Sequence, residues 1–333
     1  MKPLRPVSVV LLAILALSVL QANGQVVYSP IFDGTSAYDF LTGQCDFGPR
    51  PPGSENLSRC RTYIVETLES YNWTVSLQNF TYMDTECVNI IATWNHTTDS
   101  PIVLGAHYDT RPNATSDSPS NRSLPILGAN DGASGTAVLM ELARVLPLSN
   151  RSKVELVFFD AEDSGGINDW DWIQGAVHYV SVLSANRIST IEAMILVDMV
   201  GDANLYLPKE GTSTHSLQNS IWSIADNLGY SSTFVNTGGS SVIDDHRPFL
   251  DAGIPSVDII QVPFPSYWHT LEDTPDKCSA DSLEKVGRVL EVFIVDYNSE
   301  TDVFVPNPPY VLYVTMIVLV VIVVFAIYQR MTH

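Results

Sequence analysis

The chain has 333 residues and carries 17 Lys and Arg against 37 Asp and Glu, a formal charge of −20. So acidic a surface excludes nucleic acid as a partner and favours cations. The length suits one large domain or two small ones. At the start of the chain, Lys2 and Arg5 precede an apolar run at residues 7–20 that ends in Ala22-Asn23-Gly24. That order is the one found in secretory signal peptides, so residues 1–24 are read as a leader, with an uncleaved anchor as the alternative. Glycosylation sequons at Asn56, Asn72, Asn79, Asn95, Asn113, Asn121 and Asn150 fit an exported domain. So do the four cysteines, Cys45, Cys60, Cys87 and Cys278, for which one or two disulfides are expected, Cys45 with Cys60 closing a short loop.

Between residues 38 and 297, short β-branched apolar runs alternate with stretches of helical period. Strands are predicted at residues 89–94, 102–106, 154–159, 193–197 and 255–260, and helices at 59–70, 135–146, 175–183, 216–228 and 279–297. No repeat or low-complexity linker divides this region. Residues 25–300 therefore read as one α/β domain, a mostly parallel central sheet with helices on both faces. Residues 301–309 follow as a Pro-rich linker. The uncharged run 310–328, bounded by Tyr310, Tyr313 and Tyr328, reads as a transmembrane helix, and 329–333, with Arg330, as a cytoplasmic tail. The expectation is a single-pass membrane protein with its domain outside the cytoplasm.

The stretch FFDAED at residues 158–163 poses the chemical question, because an apolar strand ends in Asp160, Glu162 and Asp163. Burying unpaired negative charge is expensive, so a positive group is expected there. Other predicted strands end in the same way. His107 and Asp109 follow one, Asp198 another, His269 lies in the loop after a third, and Asp131 sits in a Gly-rich turn before a helix. Taken singly, these are ordinary core, turn or surface residues. In a parallel sheet, however, groups beyond the carboxyl ends of the strands converge on one crevice. Two histidines with several carboxylates suit a divalent metal, and zinc accepts that mixture of nitrogen and oxygen. One ion would be held by His107 and Asp198, another by Asp163 and His269, with Asp131 between them. Asp109 is placed to orient the His107 imidazole, and Glu162 to hold a proton beside the centre. His96, His178, His215 and His246 have no such context and read as structural or surface residues. The chain has no His-Glu-x-x-His, no Gly-x-Ser-x-Gly, no Walker loop and no Gly-x-Gly-x-x-Gly.

The motifs GAHYDT, GANDGASG, FFDAED, LVDMVG, DDHRPFLDAGIPS and YWHTLEDT, in that order, make the chain resemble the M28 metallopeptidase superfamily of zinc aminopeptidases and glutaminyl cyclases. The resemblance implies that His107, Asp131, Asp163, Asp198 and His269 bind one or two zinc ions and that Glu162 is the general base. It implies peptide substrates, bound through their N-termini. FGPRPPGS, Trp268, Asp244 within DDHRPFL and the insertion ending in Trp172 are closer to the cyclase branch, and Trp268, Asp244 and Trp172 are the substrate-binding candidates. HTLEDT is closer to the peptidases. Animal cyclases carry His where this chain has Asp258, and Glu where it has Asp163. The primary expectation is an aminopeptidase; the alternative is a glutaminyl-peptide cyclotransferase, and the third a non-catalytic ectodomain of the same fold.

Overall fold

The computed structural model describes residues 28–97 and 100–297. The chain divides into a short unit ending at Ile31 and a body beginning at Phe32, and every element described here lies in the body. Helix α1 (Gly34–Cys45) is capped by Asp33, whose side chain accepts from Thr35 N. Ser54 caps α2 (Glu55–Ser70) by accepting from Leu57 N. Both caps satisfy a backbone N–H that has no partner within the helix. A hairpin follows, β1 (Thr74–Tyr82) and β2 (Thr85–Thr93), whose turn residues Met83 and Asp84 are both left-handed.

The centre of the molecule is a six-stranded sheet in the order β1-β2-β4-β3-β5-β8. Its inner strands are β3 (Ile102–His107), β4 (Val154–Phe159) and β5 (Ala193–Asp198), and β8 (Ser256–Ile260) forms one edge. β4, β3, β5 and β8 run parallel, whereas the hairpin joins antiparallel through β2. Alternation of side chains divides each inner strand between two cores. Leu104, Leu156, Phe158, Ile195 and Val197 face a large cluster that includes α1, α2, α3 (Ala133–Val145), α6 (His215–Asn227) and α8 (Ala280–Asp296). Val103, Val157, Phe159, Met194 and Leu196 face a smaller one with α4 (Gln174–Ser181) and α7 (Arg247–Asp251), flanked by α5 (Ala185–Thr190). Because both faces are covered, these strands read as continuous apolar runs rather than alternating ones. Strands β6 (Leu207–Lys209) and β7 (Phe234–Gly238) form a separate parallel pair.

Two expectations are corrected. Among the described residues no helix is long and apolar enough to cross a membrane, which overturns the placement as a single-pass membrane protein. The run 310–328 behind that expectation lies outside the described residues, as do 1–24, 301–309 and 329–333. The expected disulfides are not formed either, since all four cysteines are free and buried. Their thiols pack into the interior from different places: the end of α1, the middle of α2, strand β2 and the turn before α8. Burial pushes Cys45 and Cys60 up to about 11, so both stay protonated and unreactive.

The approach of α3 to the sheet sets the geometry of the crevice. Gly135, in its first turn, lies so close to β5 that a Cβ there would run into the Val197 carbonyl oxygen, one residue before Asp198. Gly135→Ala is expected to cost about 1–3 kcal/mol of stability through overpacking, read as a lower urea midpoint. An unchanged midpoint would contradict this contact.

Candidate active site

The carboxyl ends of the parallel strands bring the predicted residues together. His107 ends β3 and Asp198 ends the adjacent β5, so that His107 Nε2 lies 3.1 Å from Asp198 Oδ1. Asp131 reaches in from the turn before α3, its Oδ1 3.2 Å from His107 Nε2 and its Oδ2 3.4 Å from His269 Nε2. Asp163, beyond β4, places Oδ1 3.1 Å from His269 Nε2. The result is two groups of three, His107 with Asp131 and Asp198, and Asp131 with Asp163 and His269, all buried. Within each group the potential ligand atoms lie within 4.8 Å of one another.

The loops that hold these groups carry backbone strain. Ala161, Met199 and His269 are all left-handed without being glycine, a conformation that costs roughly 1–3 kcal/mol and persists only where the surroundings impose it. Asp109 imposes part of it: its Oδ1 accepts from Glu162 N at 3.1 Å and its Oδ2 from Asp163 N at 3.2 Å. The same Oδ1 lies 3.4 Å from His107 Nδ1. Asp273 does the same for the Asp131 turn, accepting from Asn130 N at 2.8 Å and Asp131 N at 3.1 Å. Gly132, at φ +101, passes under the His107 ring where a side chain would crowd its Cε1.

Whether these residues fit a metal is decided by their chemistry. Each group offers one imidazole nitrogen and carboxylate oxygens from two residues, a borderline set suited to zinc rather than the all-oxygen set of calcium or magnesium. Asp163 Oδ2 is buried without a hydrogen-bond partner. The field is strongly negative: burial alone would lower His269, yet Asp163 and Asp131 raise it to about 9. Burial opposes ionisation of Asp131, and hydrogen bonds from His107 and His269 more than offset that, holding it well below the usual carboxylate range. The residues therefore fit a divalent cation.

Glu162, only 7 % exposed, is pushed well above its ordinary range by burial, with Asp163, Asp244 and Asp245 adding to the shift and His107 opposing it. Asp160 proves separate from this centre. It accepts from Val88 N at 2.8 Å, and burial pushes it up to about 8, leaving it neutral. Of the three carboxylates in FFDAED, Asp163 meets a protein cation, Arg111, at 3.1 Å.

Trp268 stacks on His269 with ring centroids 3.6 Å apart, and Trp172 lies parallel to the same imidazole at 6.1 Å. Both indoles are half-buried. Asp244 is buried beside Asp245 and Asp258, and several of their oxygens have no hydrogen-bond partner. Burial pushes all three well above the carboxylate range, and repulsion from Asp198 adds to each shift. His246 was expected to be structural or surface. It is fully buried at this trio's edge, with Nδ1 3.7 Å from Asp258 Oδ2 and Nε2 2.9 Å from Thr212 Oγ1. Asp245, His246 and Arg111 escaped the sequence reading, although the doubled acid in DDHRPFL and the base directly after GAHYDT were the available signals.

The model of Peptidase family M28 matches residues 89–294. The chain belongs to peptidase family M28. This M28 chain is similar to the glutaminyl-peptide cyclotransferase of Bos taurus, 27 % identical over 311 residues that cover 80 % of this chain and 84 % of that protein. Two solved structures from Bacteroides thetaiotaomicron each cover 81 % of this chain and 99 % of their own, with a TM-score of 0.74. One is a leucine aminopeptidase precursor at 34 % identity, the other a glutaminyl cyclase bound to N-acetylhistamine at 33 %.

Removing the residue common to both groups tests whether this cluster of the M28 chain holds a metal. Asp131→Asn is expected to abolish or sharply reduce bound zinc, measured by elemental analysis of the dialysed protein; undiminished zinc would contradict the centre. His246 gives a pH dependence. Burial holds it down to about 4, so its neutral form is favoured in the folded state. The stability it contributes is present above its unfolded value of 6.5 and is lost as pH falls towards 4, by at most about 3 kcal/mol. Urea unfolding of His246→Gln should lose less stability than the parent between pH 6.5 and 4, and equal losses would contradict this.

Proposed function

We propose that this M28 chain is a glutaminyl-peptide cyclotransferase, closing an N-terminal glutamine into pyroglutamate. The observation that carries this reading is the match to cyclases over 84 % and 99 % of their own lengths. It displaces the aminopeptidase expected first from the sequence. Residues 25–300 form the catalytic unit. His107, Asp131, Asp163, Asp198 and His269 hold one or two zinc ions, Asp109 orients His107, and Trp268, Trp172 and Asp244 line the substrate.

In this reaction the α-amine nitrogen bonds to the side-chain amide carbon, the bond from that carbon to its NH2 nitrogen breaks, and ammonia leaves. Glu162 accepts the proton given up by the amine and returns it to the departing nitrogen. Its buried setting supports that task, because a carboxyl group with a raised pKa is a ready donor at neutral pH. Zinc, when bound, supplies a Lewis acid for the amide carbonyl. The stacked rings of Trp268 and Trp172 offer an apolar wall beside the reacting carbon.

A second reading, N-terminal exopeptidase, is favoured by the match to the leucine aminopeptidase precursor. There Glu162 would take the proton of an attacking water and pass it to the leaving amine. The presence of Glu162 together with both histidine-carboxylate groups weighs against a non-catalytic module.

Mass spectrometry of two peptides incubated with the purified protein distinguishes these readings. A peptide beginning with Gln should lose ammonia and keep its residue count, in a chelator-sensitive manner, while one beginning with Leu stays intact. Glu162→Gln should slow cyclisation by about 10²–10⁴-fold. Release of whole N-terminal residues from the Leu peptide, with no ammonia loss from the Gln peptide, would overturn the cyclase assignment.

A further inference from the structure

Arg111 stands apart from the expected site residues, yet it touches the site most closely of any basic side chain among the described residues. It is only 5 % exposed. Nη1 donates to both the backbone oxygen and Oδ1 of Asp163, each at 3.1 Å. Nη2 donates to Gly165 O at 3.1 Å, and Nε to Thr115 Oγ1 at 2.9 Å. The guanidinium plane is held from above by the Trp172 ring, 4.7 Å from Cζ. A side chain at Gly165 would run into that same ring, so the loop leaves room for the indole to lie flat.

We infer that Arg111 is a positioning residue of the metal centre, fixing the Asp163 carboxylate for the group it forms with Asp131 and His269. Arg111 and His269 both address Oδ1, while Oδ2 is left buried without a hydrogen-bond partner, available to a cation. An aspartate carboxylate has a free χ2 rotation, and with Oδ1 and the residue's own carbonyl gripped by one planar fork that rotation is lost. Lysine could not substitute, since a single ammonium cannot span the Asp163 and Gly165 acceptors with fixed geometry. A merely structural Arg111 would brace residues 163–165 and leave ion binding unaffected.

The inference rests on the metal centre proposed above, and the experiment keeps the two apart. Zinc affinity is measured by competition with a chromogenic chelator for the parent, Arg111→Lys and Arg111→Met, and the visible spectrum of each is recorded with Co²⁺ alone. The parent should bind zinc, and Arg111→Met should bind it about 10–100-fold more weakly, the usual effect of losing a group that orients a ligand. Arg111→Lys should fall between them, with an altered cobalt spectrum. If Arg111→Met does not fold, Arg111→Lys decides alone. Parent-like zinc affinity and cobalt spectra in the folded variants, with only thermal stability lowered, would overturn the assignment of Arg111 and leave the metal centre standing. A parent protein that takes up no zinc would overturn both.

Discussion

Asp131 between two histidines is the constraint from which the rest of the site follows. One carboxylate faces His107 with Oδ1 and His269 with Oδ2, so the turn before α3 must stand at one height and one angle above the sheet. Asp273 fixes the turn from the far side by taking the amides of Asn130 and Asp131. Gly135 brings α3 against β5, and Thr136 donates to the His107 carbonyl at 2.8 Å, tying the helix to the strand that carries the facing imidazole. Packing and polar contacts thus converge on one side chain. The left-handed residues Ala161, Met199 and His269 show where the chain bends out of its preferred conformation to complete the arrangement.

Concentrating this many carboxylates in a dry crevice is unfavourable unless protons or cations offset it. The structure uses both. Around Asp131 and Asp163 the offset comes from imidazoles and from Arg111, and the potential ligand atoms of each group lie within 4.8 Å of one another. Around Asp244, Asp245 and Asp258 the nearest imidazole, His246, stands 3.7 Å from Asp258 and is held neutral by burial, so burial of these carboxyl groups favours their protonated forms. Glu162 lies between the two regimes. A carboxyl group at such a boundary is suited to passing a proton, a need that cyclisation and hydrolysis share, so the core alone does not favour one over the other.

The inner sheet was legible because strands covered on both faces read as unbroken apolar runs, and His107, Asp163 and Asp198 stood out as candidates because they end or closely follow those runs, whereas Asp131 and His269 lie in a turn and a loop. β1 was missed for a physical reason. It is a half-exposed edge strand rich in polar residues, and its turn is Met83-Asp84 rather than a glycine or asparagine pair. α1 has few strongly apolar positions, and α5 and α7 are too short for a period to register. Arg111 and His246 draw their importance from what lies beside them in space, tens of residues away in sequence. The cysteine count was even, yet all four thiols are free, and Cys45, Cys60 and Cys278 pack as apolar groups in the large core.

Anomalous diffraction at the zinc absorption edge, from crystals grown with zinc, tests the site most directly. A peak is expected beside Asp131, between it and the His107–Asp198 pair, the Asp163–His269 pair, or both. Zinc peaks confined to other positions, with none at Asp131, would contradict the reading of this cluster as a metal centre.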